Sequence, residues 1–317
     1  MSKSVIIRNV REAWRICNGV ACVYKPADTS THRLRQMVIA NLCRDFNELD
    51  PHPPRKFVNI VPLSGENTSQ QLQIEVRENL ADSVLVSGPA IQPSDVRLSW
   101  INYLGKRTSG VTVISVNDGN RYLHKFRESR PLSAYHVKAR FGLATDTHWS
   151  DGKVWEKATF HHIRQDKFHK LLASIQASQQ RKMFEYCGVN PTSQTAYELA
   201  SRGLLRPAIN GPTLIYGLKC IDFKPPDFTL EVHCINEDEI FLATLVHDIG
   251  ISLKSAAATV QMRCIRHGEF SLENALLRKH WTLEYLMQNM IDCRNILQKT
   301  MAVSPVLSPT DKMINVN

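Results

Sequence analysis

His247 and Asp248, adjacent in Val246-His247-Asp248-Ile249-Gly250, form the kind of pair that metal-dependent phosphohydrolases use. That chemistry needs further His and Asp ligands from other helices, and a lone pair arises readily by chance. His161-His162 with His169 matches no usual ligand spacing. The eight cysteines (17, 22, 43, 187, 220, 234, 264 and 293) never form a C-x-x-C pair and lie mostly in apolar segments. They read as buried free thiols of a reducing compartment, with no zinc site. No G-x-x-x-x-G-K-S/T or G-x-G-x-x-G loop is present, and no G-x-S-x-G elbow. What is left is a small-residue turn, Leu104-Gly105-Lys106-Arg107-Thr108-Ser109-Gly110-Val111, set between the apolar stretches of Val96–Val116 and flanked by Arg97, Lys106 and Arg107.

The elements that must position this turn follow from periodicity. Gly19–Tyr24 reads as a buried strand ended by Lys25-Pro26 and the polar turn Ala27-Asp28-Thr29-Ser30. A helix follows, with Thr31 as cap and Leu34, Val38, Ile39 and Leu42 on one face. Residues 49–75, with Pro51, Pro53 and Pro54, read as an ordered insertion or an exposed loop rather than a domain boundary. Residues 134–144 read as a strand. Residues 164–184 read as a helix with Phe168, Leu171, Leu172 and Ile175 buried, and Thr195–Arg202 as a helix stopped by Gly203. Thr213–Phe223 and Phe228–Ile235 are strand-like around Pro225-Pro226, and 238–253 is helical, stopping at Gly250. Strands and helices mix without regular βαβ alternation, so the fold class is α+β with a largely antiparallel mixed sheet.

The bulk composition fits this. Hydrophobic content of 43% and charged content of 22% are ordinary for a globular chain. No apolar run approaches the ~18 residues of a membrane span. The formal charge of +9 favours an anionic partner, nucleic acid first and an anionic membrane surface second. Lys3, Arg8, Arg11 and Arg15 against Glu12, with Ile6, Val10, Ala13 and Cys17 on another stripe, form a basic amphipathic start. Such a segment, residues 1–17, is either a mitochondrial targeting sequence or the first helix of the fold. The main domain is expected over 18–300, and 301–317 reads as a polar, disordered tail.

Several islands in order resemble the TruB-type RNA pseudouridine synthases. Gly19–Ser30 resembles that family's opening G-x-x-x-x-x-K-P-x-x-x-S. Leu104–Val111 resembles its G-x-L-D-x-x-A-x-G-V-L, with Gly105 standing at the Asp. Tyr135, Phe141-Gly142 and Thr145-Asp146 resemble K-x-Y…x-G-x-x-T-D, with Ser133 in place of the Lys. Tyr197–Gly203 and Gln261–Phe270 resemble two later elements. Arg206-Pro207, Phe223–Phe228 and Ala275–Arg278 resemble the mitochondrial branch, which lacks the C-terminal PUA domain.

The resemblance implies a pseudouridine synthase fold with an RNA-binding cleft, acting on tRNA or mRNA in mitochondria, and no metal, nucleotide or redox cofactor. It implies that Tyr135 stacks on the uracil. It places the nucleophile at Gly105 and, with Leu242–Gly250 set on the family's Y-I-R-S-L helix, the partner Arg at Ala243. Acid and cation are both missing, which is consistent because either alone would be an unpaired charge in a cleft. The residues expected to hold RNA are Lys25, Arg97, Lys106, Arg107, Arg181, Lys182 and Arg202. Three readings stand at this point: an RNA-binding protein that has lost chemistry, an active synthase whose acid comes from elsewhere, and a protein-interaction scaffold. A carboxylate within hydrogen-bond reach of Tyr135 speaks for the second.

Overall fold

The computed structural model describes residues 10–49, 56–62, 72–79, 81, 86, 88–89, 91–186, 188–201 and 211–303. Its centre is one mixed sheet in the order β1(Gly19–Lys25)-β5(Ser109–Val116)-β11(Ala257–His267)-β6(Ser133–Phe141)-β10(Asp227–Ile235)-β9(Leu214–Lys224). β4(Leu98–Trp100) adds to β5, and β12(Phe270–Ser271) to β11. Among the strand pairings of this sheet in the described residues, the short β5–β11 contact is parallel and the others are antiparallel, as the sequence led us to expect. Two small hairpins stand apart, β2(Lys56–Pro62) with β3(Leu72–Glu78), and β7(Leu143–Thr145) with β8(Val154–Lys157).

Helices cover both faces of the sheet, so β5 is buried along its whole length. On one side α1(Val10–Ile16), α2(Thr31–Glu48) and α7(Leu283–Val303) pack Ala13, Leu34, Val38, Phe46, Leu286 and Met290 into one core. On the other, α4(Gln165–Tyr186) and α6(Glu239–Ser252) pack Phe168, Leu172, Leu242, Val246 and Ile249 against Tyr135, Phe141 and Leu230. Two further α-helices among the described residues are α3(Asn120–Glu128) and α5(Gln194–Ser201). Where β5 and β11 meet, Gly110 is required: its φ is +123°, and a Cβ there would strike the Cys264 backbone.

Three sequence expectations change. Ser30, not Thr31, caps α2: its Oγ accepts from the Arg33 N–H, while Thr31 is buried and its hydroxyl donates to the Leu104 carbonyl. The 49–75 excursion contains a hairpin, in which Val58 pairs with Val76 and Ile60 with Ile74. The helix at 239–252 runs past Gly250 by two residues. At the amino end, Ala13 and Cys17 are fully buried and Trp14 lies 5.4 Å from Phe46 between ring centroids. Residues 10–17 are therefore part of the packed domain. The stop at Gly203 and the tail beyond 303 lie outside the described residues.

Candidate functional site

The Gly105 turn joins β4 to β5, and a single buried lysine anchors it. β1 pairs Lys25 with Gly110 across the sheet, which turns the lysine inward beneath the loop. Lys25 is 0% exposed; its Nζ donates to the carbonyls of Thr108 at 2.6 Å, Lys106 at 3.1 Å and Pro26 at 3.1 Å. Burial draws its pKa down to about 8, opposed by the negative charges of Glu239 and Asp28. This ammonium fixes the turn and has no surface with which to meet a phosphate, contrary to its expected RNA contact.

Opposite the turn is the start of α6, where Glu237, Asp238 and Glu239 follow the end of β10. Glu239 reaches across to the turn: its Oε2 accepts from the Thr108 N–H at 2.9 Å and from the Thr108 hydroxyl at 2.7 Å. A Cβ built on Gly105 would coincide with that carboxylate and would lie 2.7 Å from Glu239 Cβ. The space that any side chain at 105 would enter is thus filled by an acid from elsewhere in the chain.

Tyr135 forms the floor. It is 2% exposed, and its hydroxyl donates to Glu237 Oε1 at 2.8 Å. Burial raises the Tyr135 pKa well above its usual value, reinforced by the Glu237 charge. Burial also raises the Glu237 carboxyl, against the lowering pull of its hydrogen bonds to Ser133 and Tyr135. Tyr103, Leu104, Gly105, Thr108, Leu242 and Met262 complete a pocket of only about 10 Å³, roughly the room of one water molecule. Ala243 is buried in the core beside it.

The expected basic residues do not converge. Lys106 and Arg107 are on the turn, Lys106 exposed, Arg107 paired with Asp151 at 3.2 Å and set 5.4 Å over Trp149. Arg97 precedes β4, whose Leu98 pairs with Val116, the end of β5 away from the turn. At ~3.3 Å per residue that is about 23 Å from Ser109. Arg181 and Lys182 are exposed on α4, which packs on the far edge strand β9, and Arg181 pairs with Glu185. Arg202 lies outside the described residues.

Among the described residues no group of three metal-binding side chains occurs; His247 packs instead on His148, 4.5 Å between ring centroids. Sequence reasoning missed Glu237 and Glu239. Their one sequence signal is the acidic run Glu237-Asp238-Glu239 at a helix start, a common place for acids.

One wall of the site carries a pH-dependent cost. His267 is buried, with Nδ1 2.8 Å from Ser133 Oγ, and burial lowers its pKa to about 4. The unfolded chain, with its imidazole near 6.5, binds a proton there that the folded chain refuses. Stability therefore falls as pH drops from about 6.5 to about 4, by roughly 3 kcal/mol from this group. Urea midpoints compared at pH 7 and pH 4.5 should show that loss, and His267→Gln should remove most of it. An unchanged slope in the variant would assign the acid sensitivity elsewhere.

Comparisons with known proteins identify the family. A family profile described as "TruB family pseudouridylate synthase (N terminal domain)" matches residues 97–240. The Xenopus tropicalis protein named "Pseudouridylate synthase TRUB2, mitochondrial" is 34% identical over 284 residues, 89% of this chain and 87% of the relative. The Homo sapiens protein of the same name is 36% identical over 269 residues, 84% of this chain and 81% of the relative. A solved structure titled "Crystal structure of the archaeal box H/ACA sRNP Nop10-Cbf5 complex" aligns at 12% identity with a TM-score of 0.47, covering 94% of this chain and 64% of that one. With more than a third of the aligned residues identical to one relative across most of both chains, the protein belongs to the TruB family of pseudouridylate synthases.

Proposed function

We propose that this protein is a mitochondrial RNA-binding member of the TruB family in which uridine isomerisation has been lost. The observation that carries the reading is the Glu239 carboxylate filling the space of the residue-105 side chain. Covalent catalysis requires a carboxylate that is free and beside the extruded base. Here the carboxylate is tied to Thr108, and the adjoining pocket of about 10 Å³ has no room for a nucleobase. The mitochondrial setting follows relatives whose names place them in mitochondria. The charge of +9 suits a polyanion, with tRNA and mRNA both within the family's reach. Purified protein should bind mitochondrial transcripts with a steep dependence on salt. Salt-insensitive or absent binding would leave the interaction-scaffold reading.

A second reading has its own observation. Three acidic residues, Glu237, Asp238 and Glu239, line the pocket, and Glu237 lies 2.8 Å from the Tyr135 hydroxyl. In that reading the protein is an active synthase that opens on binding RNA and uses one of these acids in place of the family Asp. Pseudouridine would then form with the unmodified protein and vanish in Glu237→Gln or Glu239→Gln. The first reading expects none to form in any of the three.

A further inference from the structure

Beside the closed pocket, and sharing Tyr103, Glu237 and Asp238 with it, lies a cavity of about 430 Å³. That is within the usual size of a small-ligand site, roughly 300–1,000 Å³. None of the RNA contacts expected from the sequence is in its wall, which carries a basic side, an acidic side and an aromatic lip.

The basic side is Arg127 and Arg130. Arg127 ends α3, and its Nη2 donates to the Trp100 carbonyl at 2.9 Å, which holds the guanidinium beside β4. Arg130 follows in the link to β6 with φ +45°, a conformation that a long side chain rarely adopts. Its Nε and Nη1 are buried with no hydrogen-bond partner. His267, on the same wall, has an unpartnered Nε2 as well. Unmatched buried guanidinium donors such as those of Arg130 are costly and uncommon in folded proteins, and a bound ligand is one way in which they are satisfied.

The acidic side is Asp238, whose side chain makes no capping bond at the start of α6, together with Glu237. The lip is Tyr103, 62% exposed, with Trp100 6.5 Å away between ring centroids. A ligand that fits all three has an anionic end, N–H donors at the other end and a flat face. An unpaired nucleotide has each of these: phosphate for the arginines, base N–H groups for the carboxylates, and a π-face for the tyrosine.

We infer that this cavity seats one unpaired nucleotide of the bound RNA, phosphate toward Arg127 and Arg130 and base against Tyr103. The inference rests on the RNA-binding reading and gives it a location. The carboxylates also set polarity, because a phosphate on their side would be repelled.

The test is fluorescence anisotropy of a labelled single-stranded RNA 12-mer with the full chain. Tyr103→Ala and Arg127→Ala would be compared with Arg181→Ala, on α4 against the edge strand β9 and outside the cavity wall. Thermal melting checks that each variant is folded. Tyr103→Ala should weaken binding about five- to tenfold, the usual loss of one base–aromatic stack. Arg127→Ala should reduce the slope of log K against log salt by about 0.7, one phosphate contact on a single strand. Arg181→Ala should change neither. Unchanged binding in both cavity variants, with tight binding by the unmodified protein, would overturn the seat and leave the RNA reading standing. No binding by the unmodified protein would instead defeat the RNA reading itself. Binding of free uridine monophosphate that Tyr103→Ala weakens, with RNA affinity unaltered, would make the cavity a free-nucleotide site and also overturn the proposal.

Discussion

Gly105→Asp, the substitution that restores the family's acid, is expected to destabilise the protein and to restore no turnover. The new Cβ coincides with the Glu239 carboxylate, so Glu239 must leave and both its bonds to Thr108 are lost. Overpacking costs roughly 1–3 kcal/mol, and a lost hydrogen bond to a charged group about 1.5–3. Two carboxylates would then share a pocket that now holds about one water, which adds repulsion. Glu239→Ala in the same chain removes the overlap and the second charge. The double variant should therefore be more stable than the sum of the singles by about 0.5–3 kcal/mol, the usual coupling of residues in contact. Denaturant unfolding of the two singles and the double measures this. Additive effects would mean that Glu239 does not occupy the residue-105 space in solution.

Lys25→Met is expected to unfold the turn. The substitution keeps the chain's bulk but strips the carbonyls of Pro26, Lys106 and Thr108 of their shared donor. Each buried acceptor left unmatched costs roughly 1–3 kcal/mol, so the set should cost about 4 kcal/mol or more and lower the melting midpoint by roughly 8 °C. An RNA-contact role for Lys25 gives the opposite pattern, weaker binding with little change in melting. The two measurements on one variant separate these roles. The lowered pKa of Lys25, about 8, adds a smaller effect of definite sign. Between about pH 8 and the free-lysine value near 10.4 the unfolded chain holds a proton that the folded chain has released, so this group's contribution to stability rises with pH across that window.

What could be read from the sequence was what repeats locally. The stripe Leu34, Val38, Ile39 and Leu42 on α2 is buried as periodicity demanded, and β10 alternates buried and half-buried positions over most of its length. The β2–β3 hairpin was invisible for the opposite reason. Val58, Ile60, Ile74 and Val76 are all exposed, so no alternation of burial marked the strands, and the prolines at 51, 53 and 54 argued for a loop. The site divides in the same way. The small-residue turn with Gly105 is contiguous and was legible. Its occupant, Glu239, meets Thr108 across 131 residues, a contact that no local pattern encodes. Lys25 was misplaced because a lysine beside a turn reads as solvated, while its register opposite Gly110 turns it inward. Arg97 was grouped by its place beside the turn in sequence, Arg181 and Lys182 by charge, and the fold sets all three away from the turn. Arg127 and Arg130 were overlooked because they flank a short link with no motif.

On the resemblance's placing of the family Asp at 105 and Arg at 243, the pocket gives the two replacements one physical reason. An acid at 105 and an arginine at 243 would support each other; with glycine and alanine there, Glu239 satisfies the Thr108 donors that line the turn. In the proposed reading, the fold, the sheet and the buried lysine form a scaffold that would present RNA without a reacting group at residue 105.

The most direct measurement is proton release from uridine C5 in labelled mitochondrial RNA incubated with the unmodified protein. The account expects release indistinguishable from a no-enzyme blank, because deleting a catalytic nucleophile costs on the order of 10⁶ in rate. Release well above the blank would contradict it and would transfer the chemistry to Glu237 or Glu239.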